Sequence, residues 1–197
     1  MQEYIDNRNY DCIVVGGGAS GLAAISAMAD LGISNTILLE KSNELGGRLL
    51  EDENLISLSG KSFSGKELLA QFSRLMEIYE VKTALNRELI SVTTRYRTLR
   101  ERYSLRINET EIGNKEFVDS VSITIKNNVN QSEELYRCNY LILAFSGSEI
   151  FPLANSDYSE DRVKFISAES LRDSLELGGK IGRDLGELLL RKKKEEV

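Results

Sequence analysis

Gly16-Gly17-Gly18-Ala19-Ser20-Gly21 has the residue types and spacing to hold a diphosphate. In such a GxGxxG run Gly16 permits a tight turn and Gly18 lets a pyrophosphate approach the backbone. Gly21 lets the following helix pack close to the preceding strand. A helix that starts at Ala19 and Ser20 presents unpaired N–H groups and a partial positive charge to the phosphates. Glu40 then closes the next apolar run, with Lys41 beside it. A carboxylate there can accept hydrogen bonds from both hydroxyls of a ribose. Strand, glycines, helix and acid together predict a dinucleotide site.

The segment after Glu40 bears on which dinucleotide. It reads Lys41-Ser42-Asn43-Glu44-Leu45-Gly46-Gly47-Arg48. A Gly46-Gly47 pair at this distance lets a second loop wrap the pyrophosphate and reach toward a flavin. A nicotinamide dehydrogenase needs no such loop, so FAD is expected, with an NAD-binding dehydrogenase as the weaker alternative.

Composition narrows the chemistry further. The 197 residues include no histidine. That removes the commonest general base, the Ser-His and Cys-His nucleophile pairs, and imidazole metal sites. Cys12 and Cys138 form no CxxC and suggest neither a metal site nor a redox dithiol. Any chemistry is therefore expected to be carried by a cofactor. A net charge of −6 argues against a nucleic-acid partner. The absence of a long apolar stretch argues against a membrane span. The polar start MQEYIDNRNY lacks a signal-peptide core. The expected location is cytoplasmic.

These residues need elements to position them. Cys12–Val15 and Thr36–Leu39 read as buried parallel strands, and Ala19–Leu31 as the helix between them. Residues 41–64 lack periodicity and predict a long loop. Lys66–Ile78 predicts a helix. Leu89–Tyr96, Tyr103–Glu109 and Val121–Asn127 alternate as a half-exposed antiparallel meander, with a turn at Gly113-Asn114. Tyr140–Phe145 and Val163–Ser167 predict two further strands. Gly179–Arg191 predicts a closing helix, followed by a solvated, frayed RKKKEEV tail. The expectation is an α/β, Rossmann-like three-layer fold with a parallel sheet and a β-meander. It forms a single domain over 1–197, built from a βαβ unit (11–48), a helix and meander (64–128), and closing strands and helix (139–192).

With these motifs in place, the chain resembles the FAD domain of thioredoxin reductase-like flavoproteins, within the pyridine nucleotide-disulfide oxidoreductase group. The resemblance rests on VVGGGASGLAA, ILLEKSNELGGRL, Glu53-Asn54 and Ser64-Gly65-Lys66-Glu67-Leu68-Leu69. It implies that Arg48 and Leu49 approach the flavin, that Asn54 hydrogen-bonds it, and that the backbone of Leu89 meets the adenine. LILAFSG, which contains Ala144 and Gly147, is similar to the family's "IIATG" strand end. VKFISAE is similar to its "GVFAAGD" strand, which puts Glu169 at the position of the family's aspartate.

The chain departs from the family in three ways. It has no second GxGxxG, it has no redox CxxC, and "GD" is replaced by Ala168-Glu169. The resemblance thus implies a single-domain FAD-binding oxidoreductase that takes electrons from a partner chain or a soluble donor. The alternative is a non-catalytic flavin-binding subunit of a larger complex. An electron-donor or acceptor protein, and a homodimer, are the partners it implies.

Overall fold

The computed structural model describes residues 4–51, 55–98, 116–144, 159 and 161–195, with backbone alone for 4–8, 95–98 and 116–119. The expected strand at Tyr103–Glu109, the turn at Gly113-Asn114, and Asn54 and Gly147 lie outside these residues.

The first apolar run is the end of a longer strand, β1 (Tyr4–Val15), which leads through the glycines into α1 (Ala19–Asp30) and β2 (Thr36–Leu39). A short helix α2 (Arg48–Glu51), a hairpin of β3 (Ile56–Leu58) and β4 (Lys61–Phe63), and α3 (Gly65–Ile78) follow. Next come β5 (Lys82–Ala84), β6 (Arg87–Thr98), β7 (Glu116–Asn127), β8 (Glu133–Leu143), β9 (Val163–Phe165) and α4 (Leu171–Glu195).

The main sheet runs β5-β2-β1-β8-β7-β6, with β9 also on β8. β1, β2, β5, β8 and β9 are mutually parallel, whereas β6–β7 and β7–β8 are antiparallel. β8 is the branch point. Its first half pairs with β7 through Val121↔Cys138 to Lys126↔Glu133, and its last residues pair with β9 through Leu141↔Val163 to Leu143↔Phe165. The fold is therefore α/β with a mostly parallel, mixed sheet of Rossmann-like type.

Both faces of β2 and of the ends of β1 and β8 are covered, which is why Cys12–Val15, Thr36–Leu39 and Tyr140–Leu143 are largely apolar runs. On one face Val14, Leu38 and Ile142 pack against Leu22, Ile25 and Met28 of α1, Leu68 and Met76 of α3, and Leu175, Leu185 and Leu189 of α4. On the other, Ile13, Val15, Ile37, Leu39, Leu141 and Leu143 pack against Leu89 and Val92 of β6 and Val121, Ile123 and Ile125 of β7. This second cluster makes the β6–β7 hairpin the third layer.

Four local expectations are corrected. Residues 41–64 hold α2 and the β3–β4 hairpin, turned at Ser59 and Gly60, whose φ angles of 50° and 78° suit a two-residue hairpin loop. The strand expected to begin at Tyr140 begins at Glu133, and its first half is the antiparallel neighbour of β7. The closing helix begins at Leu171 and runs straight through Gly178-Gly179. Those glycines lie inside the helix and do not start it: a Cβ on Gly178 would fall 2.2 Å from the Ser20 carbonyl oxygen, and one on Gly182 2.2 Å from that of Ala24. Glycine is kept there so that two helix backbones can meet, despite its cost of about 1 kcal/mol in a helix interior.

The tail, finally, is tied down. Lys192 Nζ donates to Tyr140 Oη at 2.6 Å, and Lys193 pairs with Asp11 at 2.8 Å. The Tyr140 ring lies beneath both Lys192 (5.1 Å) and Arg162 (4.9 Å).

Candidate dinucleotide site

The glycine turn is held by contacts that no other residue allows. Gly16 N–H donates to the Leu39 carbonyl and Ala144 N–H to that of Val15, which joins the ends of β2, β1 and β8. Ala144 is buried, and its carbonyl oxygen lies 2.3 Å from where a Gly16 Cβ would be. A Gly21 Cβ would lie 1.8 Å from the Gly16 carbonyl oxygen, inside any van der Waals limit. Gly18 is the contrast. Its φ and ψ of −79° and −171° suit any residue, and no heavy atom lies within 4 Å of its Cβ position. Space stands open over Gly18, where a pyrophosphate would approach.

Gly18 is the N-cap of α1 and offers no side-chain cap, and the first turn has no acidic residue. The first intrahelical bond is Leu22 N–H to the Gly18 carbonyl. The N–H groups of Ala19, Ser20 and Gly21 thus precede the helical ladder and keep the positive end of the helix available to an anion.

Glu40 is drawn into the same turn. Its Oε2 accepts from Gly17 N–H at 2.5 Å, and its Oε1 from Ser42 N–H at 2.8 Å. Ser42 Oγ lies 2.8 Å from Oε1 and 2.7 Å from the Glu44 carbonyl, and its single proton can serve either. A carboxylate has about four acceptor positions. One ribose hydroxyl can be accepted at Oε2 with no protein bond broken; a second must share Oε1 with Ser42. Gly17 and Ser42 are therefore the partners that fix Glu40, and sequence reasoning passed over both. The signals were there: a second glycine inside GxGxxG, where a Cβ would lie 2.5 Å from Leu45 Cδ2, and a hydroxyl two residues after the acid.

The second glycine pair lies directly on the first. Gly46 N–H donates to the Gly17 carbonyl at 2.9 Å, and Gly46 bridges Gly18 in parallel register. Gly46 and Gly47 have φ of 117° and 47°, conformations that favour glycine. Arg48, next in the chain, reaches residues far along the sequence. Its Nη1 donates to the Glu169 carbonyl at 2.8 Å, and its Nη2 contacts the Ala168 carbonyl (3.3 Å) and Ser174 Oγ (3.1 Å). The residues that lead into α4 are thereby fastened to the Gly46-Gly47 loop.

The structure thus brings together Gly16, Gly18, Ala19, Ser20, Gly21, Glu40, Gly46, Gly47, Arg48, Ala144 and the backbone of Glu169. Lys41 is exposed beside Glu40, and its carbonyl accepts from Asn128 Nδ2 at 3.5 Å. The side chain of Leu49 is fully buried in the helix-side core, and that of Leu89 is buried in the hairpin-side core. Only their backbones are open to the roles the resemblance gives them. The Glu169 side chain is exposed.

Neither cysteine suits redox work. Cys12 packs on the helix side and Cys138 on the hairpin side, and burial pushes both thiols well above their ordinary pKa. Among the described residues no cluster could hold a metal ion, and no helix is long and apolar enough to cross a membrane.

The fold and this turn define a Rossmann-like α/β protein with the architecture of a dinucleotide site. Consistently, residues 14–63 match the family described as the NAD(P)-binding Rossmann-like domain. Among solved structures the chain is similar to L-proline dehydrogenase from P. horikoshii, with 14% identity, TM-score 0.50, and coverage of 74% of this chain and 24% of that one. It is also similar to bacillithiol disulfide reductase from Staphylococcus aureus (15% identity, TM-score 0.43, 69% and 38% covered). A third is thioredoxin reductase from Streptococcus pyogenes (15% identity, TM-score 0.47, 72% and 35% covered). At these identities the likeness is one of fold. The chain spans 38% and 39% of the lengths of the two bacillithiol disulfide reductases it matches.

Proposed function

We propose that this chain holds FAD as the flavin-binding part of an oxidoreductase, with electrons supplied by a separate chain or a soluble donor. The observation that carries the reading is the stacked pair of glycine turns, Gly46-Gly47 on Gly17-Gly18, beside open space and an uncapped helix N-terminus. The first-turn N–H groups of α1 would take the pyrophosphate and Glu40 the ribose. Bound FAD would supply the electron-carrying chemistry. The chain's own part would be to bind, orient and partly desolvate it.

A second reading, a flavin-holding subunit without turnover, is favoured by Arg48. Its guanidinium is directed to Ala168, Glu169 and Ser174 and so serves to fix the loop.

The test is reconstitution of the purified chain with FAD and with NAD, followed by anaerobic mixing with NADPH. FAD should be retained and NAD should not. Dithionite should bleach the flavin readily and NADPH only slowly, because the sequence has no second glycine fingerprint to set a nicotinamide against it. Such positioning can lower a barrier by about 7 kcal/mol or more. Retention of NAD in preference to FAD would refute the cofactor. Millisecond bleaching by NADPH would refute the need for a separate donor. A flavin that no protein or soluble donor turns over would favour the second reading.

A further inference from the structure

The segment that carries Glu40 is held from a second side, by residues outside both glycine turns. Glu40 N–H donates to the Ala84 carbonyl at the end of β5 (3.0 Å). Arg87 N–H donates to the Glu40 carbonyl (2.7 Å), and Asn86 N–H to that of Ser42 (2.8 Å). Ser42 is thus fixed on two sides: its carbonyl accepts from Asn86, and its own N–H holds Glu40 Oε1. These bonds come from one turn, Leu85-Asn86-Arg87, with Asn86 at φ 58°, a conformation asparagine tolerates.

Behind the turn stands a buried carboxylate. The Arg87 side chain donates from Nη1 back to the Leu85 carbonyl (3.0 Å) and from Nε to Glu134 Oε2 (2.9 Å). Glu134, buried on β8, also accepts from Tyr136 Oη at Oε2 (2.7 Å) and from Asn127 Nδ2 at Oε1 (2.9 Å). The next residue, Asn128, donates from its N–H to the Asn86 carbonyl (2.9 Å). Burial pushes the Glu134 carboxyl's pKa up, but the hydrogen bonds and the arginine charge outweigh it and hold the pKa below its ordinary value. Glu134 is therefore an anion, and it ties the ends of β6, β7 and β8 to the turn that holds Glu40.

We infer that Glu134 is a positioning residue for the ribose acceptor: through Arg87 and the 85–87 turn it sets where Glu40 and Ser42 stand. It touches no ligand itself. That Glu40 meets a ribose rests on the dinucleotide reading, but the control of Glu40 by Glu134 exists in the ligand-free chain and is measurable there. Glu134→Gln keeps the shape and removes the charge. Hydrogen bonds to a neutral acceptor are roughly half as strong as those to a carboxylate, so the guanidinium, the turn and the Glu40 segment should loosen in sequence.

The test is amide hydrogen exchange on the 15N-labelled ligand-free chain, followed by titration with ADP and with 2′,3′-dideoxy-ADP. Glu134→Gln should speed exchange about tenfold at Gly17 and Ser42, whose N–H groups Glu40 accepts. Leu22, whose N–H is bonded to Gly18 on the other side of the turn, should stay within about twofold of the parent. ADP should bind the parent about tenfold more tightly than the dideoxy analogue, and Glu134→Gln only about threefold more tightly, with the analogue's own affinity unchanged. Arg87→Lys keeps the ion pair and gives up the bond to Leu85, so it should move the same readouts the same way by less, and it serves if Glu134→Gln fails to fold. Exchange at Gly17 and Ser42 at the parent rate, or equally fast exchange gained at Leu22, overturns the proposal. So does an equal loss of affinity for the two nucleotides. A parent that binds both nucleotides alike, with exchange responding as expected, refutes the ribose reading and upholds the control of Glu40 by Glu134.

Discussion

Gly18→Ala separates the site from the fold more cleanly than any other change in the glycine turn. For the fold the terms nearly cancel. Alanine adopts φ −79° and ψ −171° without strain, and its methyl group meets no heavy atom within 4 Å. Restricting the unfolded chain stabilises by about 0.4–1 kcal/mol. Alanine is a poorer N-cap than glycine, which costs a similar amount. Unfolding free energy should therefore stay within about 1 kcal/mol of the parent.

Binding has no such compensation. The methyl group occupies the space through which a pyrophosphate reaches the N–H groups of Ala19, Ser20 and Gly21. Loss of two charge-assisted bonds at about 1.5 kcal/mol each amounts to about 3 kcal/mol, or roughly a hundredfold in Kd. The assay is FAD titration of the apoprotein by flavin fluorescence, run beside a urea melt. A variant that melts like the parent and binds FAD within about threefold would refute the approach of phosphate to Gly18.

Other substitutions test neighbouring parts of the argument. Gly21→Ala drives a methyl group to 1.8 Å from the Gly16 carbonyl, so it should cost more than about 3 kcal/mol of stability in the same urea melt. Glu40→Ala removes the acceptor of Gly17 N–H and Ser42 N–H as well as a ribose contact; FAD affinity should fall about ten- to a hundredfold, measured by the same titration. Glu134 has a folded pKa held below 4.5, so its stabilising contribution is present above that pH and is lost as pH falls through the lower folded value. The stability gap between the parent and Glu134→Gln should therefore narrow below pH 4.5 in acid urea melts; a gap that widens there would reverse the sign of the argument.

The βαβ core was legible because each of its signals is local. A strand buried on both faces writes itself as an unbroken apolar run. Gly16 and Gly21 lie five positions apart, yet one turn brings them into contact. What escaped depends on partners far along the chain. Gly178-Gly179 has the composition of a helix end, and only the backbone of α1 lying against it explains why the helix continues. Arg48 carries no sign in its neighbourhood that its acceptors are 121 residues away. Lys192 and Lys193 look like solvated charge until Tyr140 and Asp11 are placed beneath them. The first half of β8 was missed as a strand because Glu134 stands on the buried face and Leu135 on the half-exposed one, and because the apolar end at Tyr140–Leu143 dominates the pattern.

The seating of α4 on α1 through Gly178 and Gly182 has a temporal consequence. While the chain is being synthesised, the glycine turn leaves the ribosome long before the helix that flanks Ser20 and Ala24 and the carbonyls that hold Arg48. A nascent chain that ends before Leu171 lacks that support, however complete its βαβ sequence. Contacts so far apart along the chain also slow folding, since loop closure must come before the packing that rewards it. A cofactor at this turn would meet the α4-supported geometry only once residues 171–195 are in place, and the matched segment 14–63 does not contain them.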